Sequence, residues 1–206
     1  MIRGIAVFDL DGTLLRGDTV CEVLARPLGR IDEMKRLETY TAERDIEIGR
    51  AQMAEWYKGH SIDALRSHLL SARWAPGAHE AIHRLQEAQV IVAIASITWK
   101  FAVRWFAEQL KVRNYLGTDV SANGEIVHVW GRDKARWLQE LVAYYGASPE
   151  RTAAVGDSSG DVEMLRAAGL RFFVGANAAP ELESVIHLPE ADLRLIAERI
   201  INEWAD

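Results

Sequence analysis

The chain has 206 residues, of which 49% are apolar and 26% are charged, as in an ordinary globular protein. This length is enough for one well-buried core and a small insertion. The net charge of −6 argues against a nucleic-acid partner, and the longest apolar run, Val90 to Ile97, is too short to cross a membrane. Cys21 is the only cysteine, so no intramolecular disulfide can form. Because no signal peptide precedes the first predicted strand, we expect a cytoplasmic protein.

The first apolar run, GIAVF, leads into two aspartates one residue apart, Asp9 and Asp11. Its composition is that of a central parallel strand, and ligands of open α/β sheets bind at the carboxyl ends of such strands. Alternation along a strand predicts that the two carboxylates share a face, with Leu10 buried opposite. Two carboxylates this close need a cation between them or a proton on one of them. The alternative is an ordinary Asp-Gly turn.

The stretch from Thr19 to about Ala72 has helical patterning and no convincing strand. Ser61 within it is typical of a helix start. Because the stretch leaves directly from the loop that carries the two aspartates, we predict a helical cap, residues 17–74, over the end of the first strand. An elaborate crossover connection is the alternative. Residues 1–16 and 75–206 would then form the core domain.

Helical and strand patterns alternate from Pro76 onward. This alternation predicts right-handed crossovers, so the expected fold is α/β, with a mainly parallel sheet flanked by helices. Asn-Gly at 123–124, between alternating apolar residues, predicts a hairpin within 118–129. The other predicted elements are helices at 77–88, 98–110, 133–145, 159–168 and 193–204, and strands at 90–95, 152–155 and 170–174.

A second acidic pair, Asp157 and Asp161, follows the predicted strand at 152–155. The two serines between them are natural N-caps for the next helix, so capping alone would explain this segment in isolation. In combination with Asp9 and Asp11, the segment instead predicts four carboxylates at neighbouring strand ends. Such an oxygen-rich pocket is suited to Mg²⁺.

Two further residues complete the candidate site. Ser96 ends an apolar strand, where its hydroxyl and nearby backbone N–H groups, that of Ile97 included, are placed to bind an anion. Capping of the following helix is the alternative. Lys134 lies in the first turn of a predicted helix, where its charge interacts unfavourably with the helix dipole. This placement would be explained if the ammonium binds a phosphoryl group and the carboxylates. Lys100 is the rival for this role, and Arg132 a weaker one.

In chain order, DLDGT, the serine after an apolar strand, the lysine and GDSSGD resemble the motifs of the haloacid dehalogenase superfamily of phosphohydrolases. The resemblance covers essentially the whole chain and implies a Rossmann-like core. The insertion after the first motif resembles the small helical cap of the phosphoserine phosphatase-like subgroup. The resemblance implies a Mg²⁺-dependent hydrolase that acts on a small phosphorylated metabolite through an aspartyl-phosphate.

The resemblance also implies a role for each motif residue. Asp9 would be the nucleophile, and Asp11 would protonate the leaving oxygen and then activate water. Mg²⁺ would bind Asp9, the Asp11 backbone carbonyl and Asp157, with Asp161 as a further ligand or as an anchor. Lys134 would hold Asp9 in place. The phosphoryl oxygens would be bound by Ser96, Ile97 and Lys134.

The chain departs from that subgroup where the substrate is selected. Ser96 is followed by Ile-Thr instead of two glycines, and Gly160 stands where an asparagine is common. Asp18 occupies the position of the acid that reads a substrate amino group, but a helix N-cap explains it equally well. Arg50 is the nearest candidate for binding a substrate carboxylate. Phosphoserine is therefore one candidate substrate.

Two other functions would use the same aspartates or the same fold. A phosphotransferase or mutase would share the chemistry but must exclude water from the phospho-enzyme. A non-catalytic regulatory protein would be expected to have lost Asp9 or Asp11, and both are present. We therefore predict a phosphomonoester hydrolase.

Overall fold

The computed structural model describes residues 2–177 and 182–205. The first part of the chain contains one long strand, a helical insertion and two short strands that flank the insertion. In order these elements are β1 (Gly4–Phe8), β2 (Leu15–Arg16), α1 (Val20–Ala25), α2 (Ile31–Leu37), α3 (Glu43–Tyr57), α4 (Ile62–His68) and β3 (Arg73–Trp74).

The rest of the described chain alternates between helices and strands. Among the described residues, no helix has the length and apolar character needed to span a membrane. In order the elements are α5 (Ala78–Glu87), β4 (Val90–Trp99), α6 (Lys100–Gln109), β5 (Asn114–Val120), β6 (Ile126–Val127), α7 (Gly131–Tyr145), β7 (Thr152–Gly156), α8 (Val162–Ala167), β8 (Leu170–Phe173), β9 (Val185–His187) and α9 (Leu193–Glu203).

Seven strands form one sheet in the order β6-β5-β4-β1-β7-β8-β9. Neighbouring strands are parallel except for β5 and β6, which form the predicted hairpin. All of β1 is buried because both faces of the sheet are covered. Ala6 and Phe8 pack into a cluster with α5, α6 and α9, whereas Ile5 and Val7 pack into a cluster with α7 and α8. This is the predicted α/β fold.

Several element bounds differ from the sequence-based expectation. Strand β4 continues to Trp99, so the next helix begins at Lys100 and not at residue 98. A 3₁₀ turn, Ser159–Asp161, precedes α8. Strands β2, β3 and β9 were not predicted, because two or three residues are too few to show a period of two.

Strands β2 and β3 pair antiparallel and bring the two ends of the insertion together, with Arg16 opposite Arg73. The insertion between them is helical, as predicted, and the Ser61 hydroxyl accepts a hydrogen bond from the N–H of Ala64 at the start of α4. Its apolar side chains form a cluster that includes Trp99 at the end of β4. The division into a core (1–16 and 75–206) and a cap (17–74) stays a prediction, and the β2–β3 pair lies at its boundary.

Candidate active site

Most of the sequence-predicted site residues line one cavity of about 580 Å³. It lies at the carboxyl ends of β1, β4 and β7, the edge at which open α/β sheets bind ligands. Helices α2 and α3 of the insertion form its opposite wall. The sequence-predicted residues that line this cavity are Asp9, Asp11, Arg50, Ser96, Ile97, Lys134 and Asp157.

The two aspartates of the first motif have different surroundings. Asp9 directly follows β1, is 5% exposed, and donates its backbone N–H to the Val155 carbonyl at 2.9 Å. A tight turn begins immediately after it, so the strand does not continue through Asp11. The Asp11 carboxylate instead accepts a hydrogen bond of 2.7 Å from the Val20 N–H at the start of α1. Strand alternation therefore does not determine where Asp11 points, contrary to the sequence-based expectation.

Burial raises the pKa of Asp11 to about 7, although the hydrogen bond from Val20 opposes this shift. A carboxyl group that titrates near neutrality can both donate and accept a proton at physiological pH. The surroundings of Asp11 therefore suit general acid–base chemistry.

Lys134 is a buried cation between the carboxylates of the site, with 2% of its surface exposed. Its Nζ donates to Asp9 Oδ1 at 2.6 Å and to Asp161 Oδ1 at 2.8 Å. Burial alone would lower the pKa of Lys134, but the charges of Asp161 and Asp9 outweigh it and raise the pKa. The rival lysine, Lys100, pairs with Asp119, and Arg132 pairs with Glu43 on α3.

Asp161 is fully buried, and both of its carboxylate oxygens are engaged. Oδ1 accepts from Lys134, and Oδ2 accepts from the Asp157 N–H, the Ser158 N–H and the Ser158 hydroxyl, each at 3.1 Å. A side chain at Gly156 would place its Cβ 2.4 Å from the Asp161 Cβ, so only glycine fits there. The Ser158 hydroxyl serves both the predicted cap and the site, because it accepts from the N–H of Gly160 while it donates to Asp161.

Three carboxylates form a possible metal site. Asp9, Asp157 and Asp161 each offer an oxygen within 4.8 Å of the others. Burial raises the pKa of Asp9 well above its usual range, with the charge of Asp161 adding to the effect, and burial and Asp161 raise that of Asp157 to about 6. These groups are thus costly to ionise together without a cation, and all their donor atoms are oxygens. The donor set fits a hard divalent ion such as Mg²⁺.

The turn after Asp9 holds Asp157 in place. The Thr13 hydroxyl donates to Asp157 Oδ1 at 3.1 Å. Gly12 has a φ of +76°, and a Cβ on it would lie 2.1 Å from Asp157 Oδ2. The first motif therefore needs glycine at this position for its conformation and for the approach of the second acidic segment.

Ser96 is buried beside these carboxylates at 1% exposure. Its hydroxyl accepts a hydrogen bond of 3.2 Å from the Thr98 N–H. The predicted alternative, a cap on the following helix, is wrong, because α6 begins four residues later and has Trp99 as its N-cap. The register of β4 against β5 shifts between Ala95 and Trp99, so Ser96 and its neighbours lie at an irregularity within the strand.

The two predicted specificity residues lie in different places. Asp18 forms an ion pair with Arg26 and does not line the cavity. It is not a helix N-cap either, since Thr19 caps α1 and Glu22 completes the capping box. Arg50 is 3% exposed and lines the cavity from α3.

Apart from Arg50, sequence reasoning missed the part of the cavity wall formed by α2, α3 and the connection between them. Glu38 lies there and accepts a hydrogen bond of 2.5 Å from the Thr19 hydroxyl, and burial raises its pKa. The apolar residues could not be found from the sequence, because helical residues that line a cavity have the same spacing as core residues. They are Met34, Leu37, Tyr40, Ile46 and Met53.

A family model, haloacid dehalogenase-like hydrolase, matches residues 6–166. This span contains Lys134 and the four motif aspartates Asp9, Asp11, Asp157 and Asp161. The chain belongs to this family. It is therefore a hydrolase, and its relatives identify it as an enzyme of the phosphatase class.

Several similar proteins are named phosphoserine phosphatase, and two of them illustrate the similarity. The one from Archaeoglobus fulgidus is 29% identical over 192 residues, which are 89% of this chain and 55% of that protein. The chain thus spans about half the length of that relative. The one from Methanocaldococcus jannaschii is 25% identical over 213 residues, covering 96% of this chain and 98% of that protein.

The fold is also found among solved structures. A structure described as a phospho-aspartyl intermediate analogue of phosphoserine phosphatase superposes with a TM-score of 0.78. It is 24% identical and covers 97% of this chain and 99% of its own. At this identity, the similarity establishes that the two proteins share a fold.

Proposed function

We propose that this phosphatase hydrolyses a small phosphomonoester through an aspartyl-phosphate on Asp9, with Mg²⁺ as its cofactor. The observation that carries the proposal is the state of the Asp9 carboxylate. Lys134 binds Oδ1, and no donor among residues 2–177 and 182–205 binds Oδ2. One oxygen is therefore held while the other is available to attack, as an oriented nucleophile requires.

In the first step, Asp9 Oδ2 forms a bond to phosphorus while the bond from phosphorus to the leaving oxygen breaks. Asp11 donates its proton to that leaving oxygen. In the second step, water attacks the phosphorus of the aspartyl-phosphate, Asp11 takes the proton of the water, and the Asp9 carboxylate is regenerated as phosphate leaves. A pKa of about 7 for Asp11 suits both transfers.

The Ser96 hydroxyl, the Ile97 backbone and the Lys134 ammonium would bind the phosphoryl oxygens. Asp9, the Asp11 backbone carbonyl and Asp157 would hold Mg²⁺, which when bound would offset the repulsion between the Asp9 carboxylate and the phosphate. Of the two roles open to Asp161, we favour that of anchor, because hydrogen bonds already engage both of its oxygens.

We propose a small phosphorylated metabolite as the substrate, with phosphoserine as the leading candidate. The cavity volume of about 580 Å³ fits such a molecule. The choice of phosphoserine depends on the names of the relatives, since Asp18 lies outside the cavity. We further propose that residues 17–74 act as a cap over the bound metabolite and that the enzyme is cytoplasmic.

The test is phosphate release from a panel of phosphomonoesters that includes phosphoserine, phosphoethanolamine and phosphoglycolate. We expect turnover that depends on Mg²⁺, and Asp9→Asn should lower kcat by at least about 10³-fold while the protein stays folded. Asp119→Asn is the control, because Asp119 is an acid outside the cavity. A Mg²⁺-loaded protein inert toward the whole panel would contradict the proposal. Product formation only with an added acceptor alcohol would identify a phosphotransferase instead.

A further inference from the structure

Arg50 lies on α3, within the predicted cap, yet its guanidinium is bound by the main chain of the core. Its Nη2 donates to the carbonyls of Ile97 and Val129, each at 3.0 Å. Its Nη1 donates to His128 Nδ1 at 3.0 Å, and its Cζ lies 4.5 Å from the centre of the Trp130 ring. One side chain of the insertion thus contacts two separate core segments.

Arg50 has no carboxylate partner among the described residues, although it is 3% exposed. Burial lowers its pKa to about 10, so the group is still a cation at neutral pH. A buried cation needs compensation, and here the carbonyl dipoles of the core supply it. These hydrogen bonds would have to break before the insertion could move away from the core.

Thr118 on β5 makes a second contact to the same carbonyl. Its hydroxyl donates to the Ile97 carbonyl at 2.9 Å and accepts from the Val129 N–H at 3.1 Å. It is 1% exposed. The Ile97 carbonyl therefore has two donors, Arg50 from the insertion and Thr118 from the sheet, and both donors also bind the Val129 backbone.

The peptide between Ile97 and Thr98 links this network to the proposed phosphate site. Its carbonyl accepts from Arg50 and Thr118, and its N–H donates to the Ser96 hydroxyl at 3.2 Å. Regular β4–β5 pairing is interrupted between Ala95 and Trp99, so strand pairing does not fix this peptide. Its orientation depends on the side-chain hydrogen bonds.

We propose that Arg50 and Thr118 are positioning residues that hold the segment Ser96–Thr98 in the conformation that binds a phosphoryl group. Because Arg50 belongs to the insertion, correct placement of this segment requires the insertion to be docked on the core. The inference depends on the proposed function, which assigns phosphate binding to Ser96 and Ile97. It differs from the sequence-based role of Arg50, which was to bind a substrate carboxylate.

Thr118→Val tests the proposal without touching the cavity, because it removes the hydroxyl and nearly keeps the volume. Thr118→Ser is the matched control that keeps the hydroxyl. We expect Thr118→Val to weaken binding of inorganic phosphate by about tenfold, from the loss of a buried hydrogen bond. Thr118→Ser should stay within about twofold of the wild type. Calorimetric titration with phosphate in the presence of Mg²⁺ measures this, at a temperature well below the Tm of each variant.

Arg50→Met separates positioning from substrate recognition when phosphoserine is compared with phosphoethanolamine, which lacks the carboxylate. A positioning role predicts the same fractional loss of kcat/KM on both substrates and the same weakening of phosphate binding. It also predicts that the double variant Arg50→Met/Thr118→Val loses less free energy of phosphate binding than the sum of the losses in the two single variants. The losses are not additive because both side chains act on the Ile97 carbonyl.

Two results would overturn the inference: wild-type phosphate affinity in Thr118→Val, or a loss in Arg50→Met that is confined to phosphoserine. The second result would make Arg50 the carboxylate-binding residue. Failure of the proposed function gives a different result. In that case the wild-type protein hydrolyses no ester, while its affinity for phosphate can still be compared with that of Thr118→Val. A wild type that neither hydrolyses esters nor binds phosphate overturns both.

Discussion

Lys134 Nζ lies 2.6 Å from Asp9 Oδ1, although the two residues are 125 positions apart in the chain. The same nitrogen lies 2.8 Å from Asp161 Oδ1, so one ammonium joins the acidic segments that follow β1 and β7. Together with Asp157, these groups form a cluster of three neighbouring carboxylates and one ammonium. When all are ionised, two negative charges remain, which is the charge that one divalent cation neutralises.

Lys134→Met should destabilise the protein strongly in the absence of metal, because it leaves buried carboxylates without their cation. Removing one partner of a buried ion pair costs about 3–5 kcal/mol. We expect a loss of this size in the free energy of unfolding, measured with urea, together with loss of phosphatase activity. Lys100→Met is the matched control, since that lysine forms a partly exposed pair with Asp119 that contributes about 0–1 kcal/mol. Equal losses for the two variants would contradict this account.

Gly12→Ala should disrupt the proposed metal site, because the new methyl group would lie 2.1 Å from Asp157 Oδ2. Gly124→Ala is the control for backbone strain: its φ of +86° is similar, and among the described residues no atom beyond its two chain neighbours lies within 4 Å of its Cβ position. We expect the control to lose about 1 kcal/mol of stability and to keep its activity. Gly12→Ala should lose both activity and the stabilisation by Mg²⁺, measured as a shift in Tm. An active Gly12→Ala enzyme would contradict this account, because it would show that Asp157 can move without loss of activity.

Mg²⁺ should raise the Tm more at about pH 8 than at about pH 5.5. In the folded protein without metal, the pKa values of Asp11 and Asp157 are about 7 and about 6, above the ordinary value of 3.8. The folded state then binds more protons than the unfolded state, so stability without metal falls as pH rises from about 4 to about 7. A bound cation favours the ionised carboxylates and removes this loss.

Thermal unfolding with and without Mg²⁺ at the two pH values measures the effect. Asp157→Asn should abolish most of the Mg²⁺-dependent shift at both values. A shift in the wild type that does not depend on pH would mean that the carboxylates are already ionised without metal.

Asp18→Asn should change kcat/KM for phosphoserine by less than about threefold, because its ion pair with Arg26 is exposed and lies outside the cavity. Glu38→Gln is the comparison, since Glu38 is the acid of the cavity wall contributed by the insertion and should have the larger effect. Steady-state kinetics with phosphoserine and with phosphoglycolate, which has no amino group, measures both variants. A tenfold loss in Asp18→Asn that is specific to phosphoserine would restore the sequence-based role of Asp18.

Much of the fold could be predicted because its signals are local. The apolar run before Asp9 reads as a central strand, and Asn-Gly at 123–124 marks the hairpin between β5 and β6. Alternating patterns after Pro76 predicted the mainly parallel sheet. Strands β2, β3 and β9 were missed, since a pattern with a period of two needs more than their two or three residues and no turn signal marks them.

The sequence by itself identified the motif residues that meet at the candidate site, because motif residues at strand ends are recognised from their immediate neighbours. Only the tertiary structure decided where their side chains point. Lys134 and not Lys100 lies between the carboxylates, Asp18 pairs with Arg26, and Arg50 binds the core backbone. The physical reason is the distance along the chain over which each signal acts. Propensity and periodicity describe a few neighbouring residues, whereas the contact of Arg50 with Ile97 joins groups 47 residues apart that meet only when the insertion packs on the sheet.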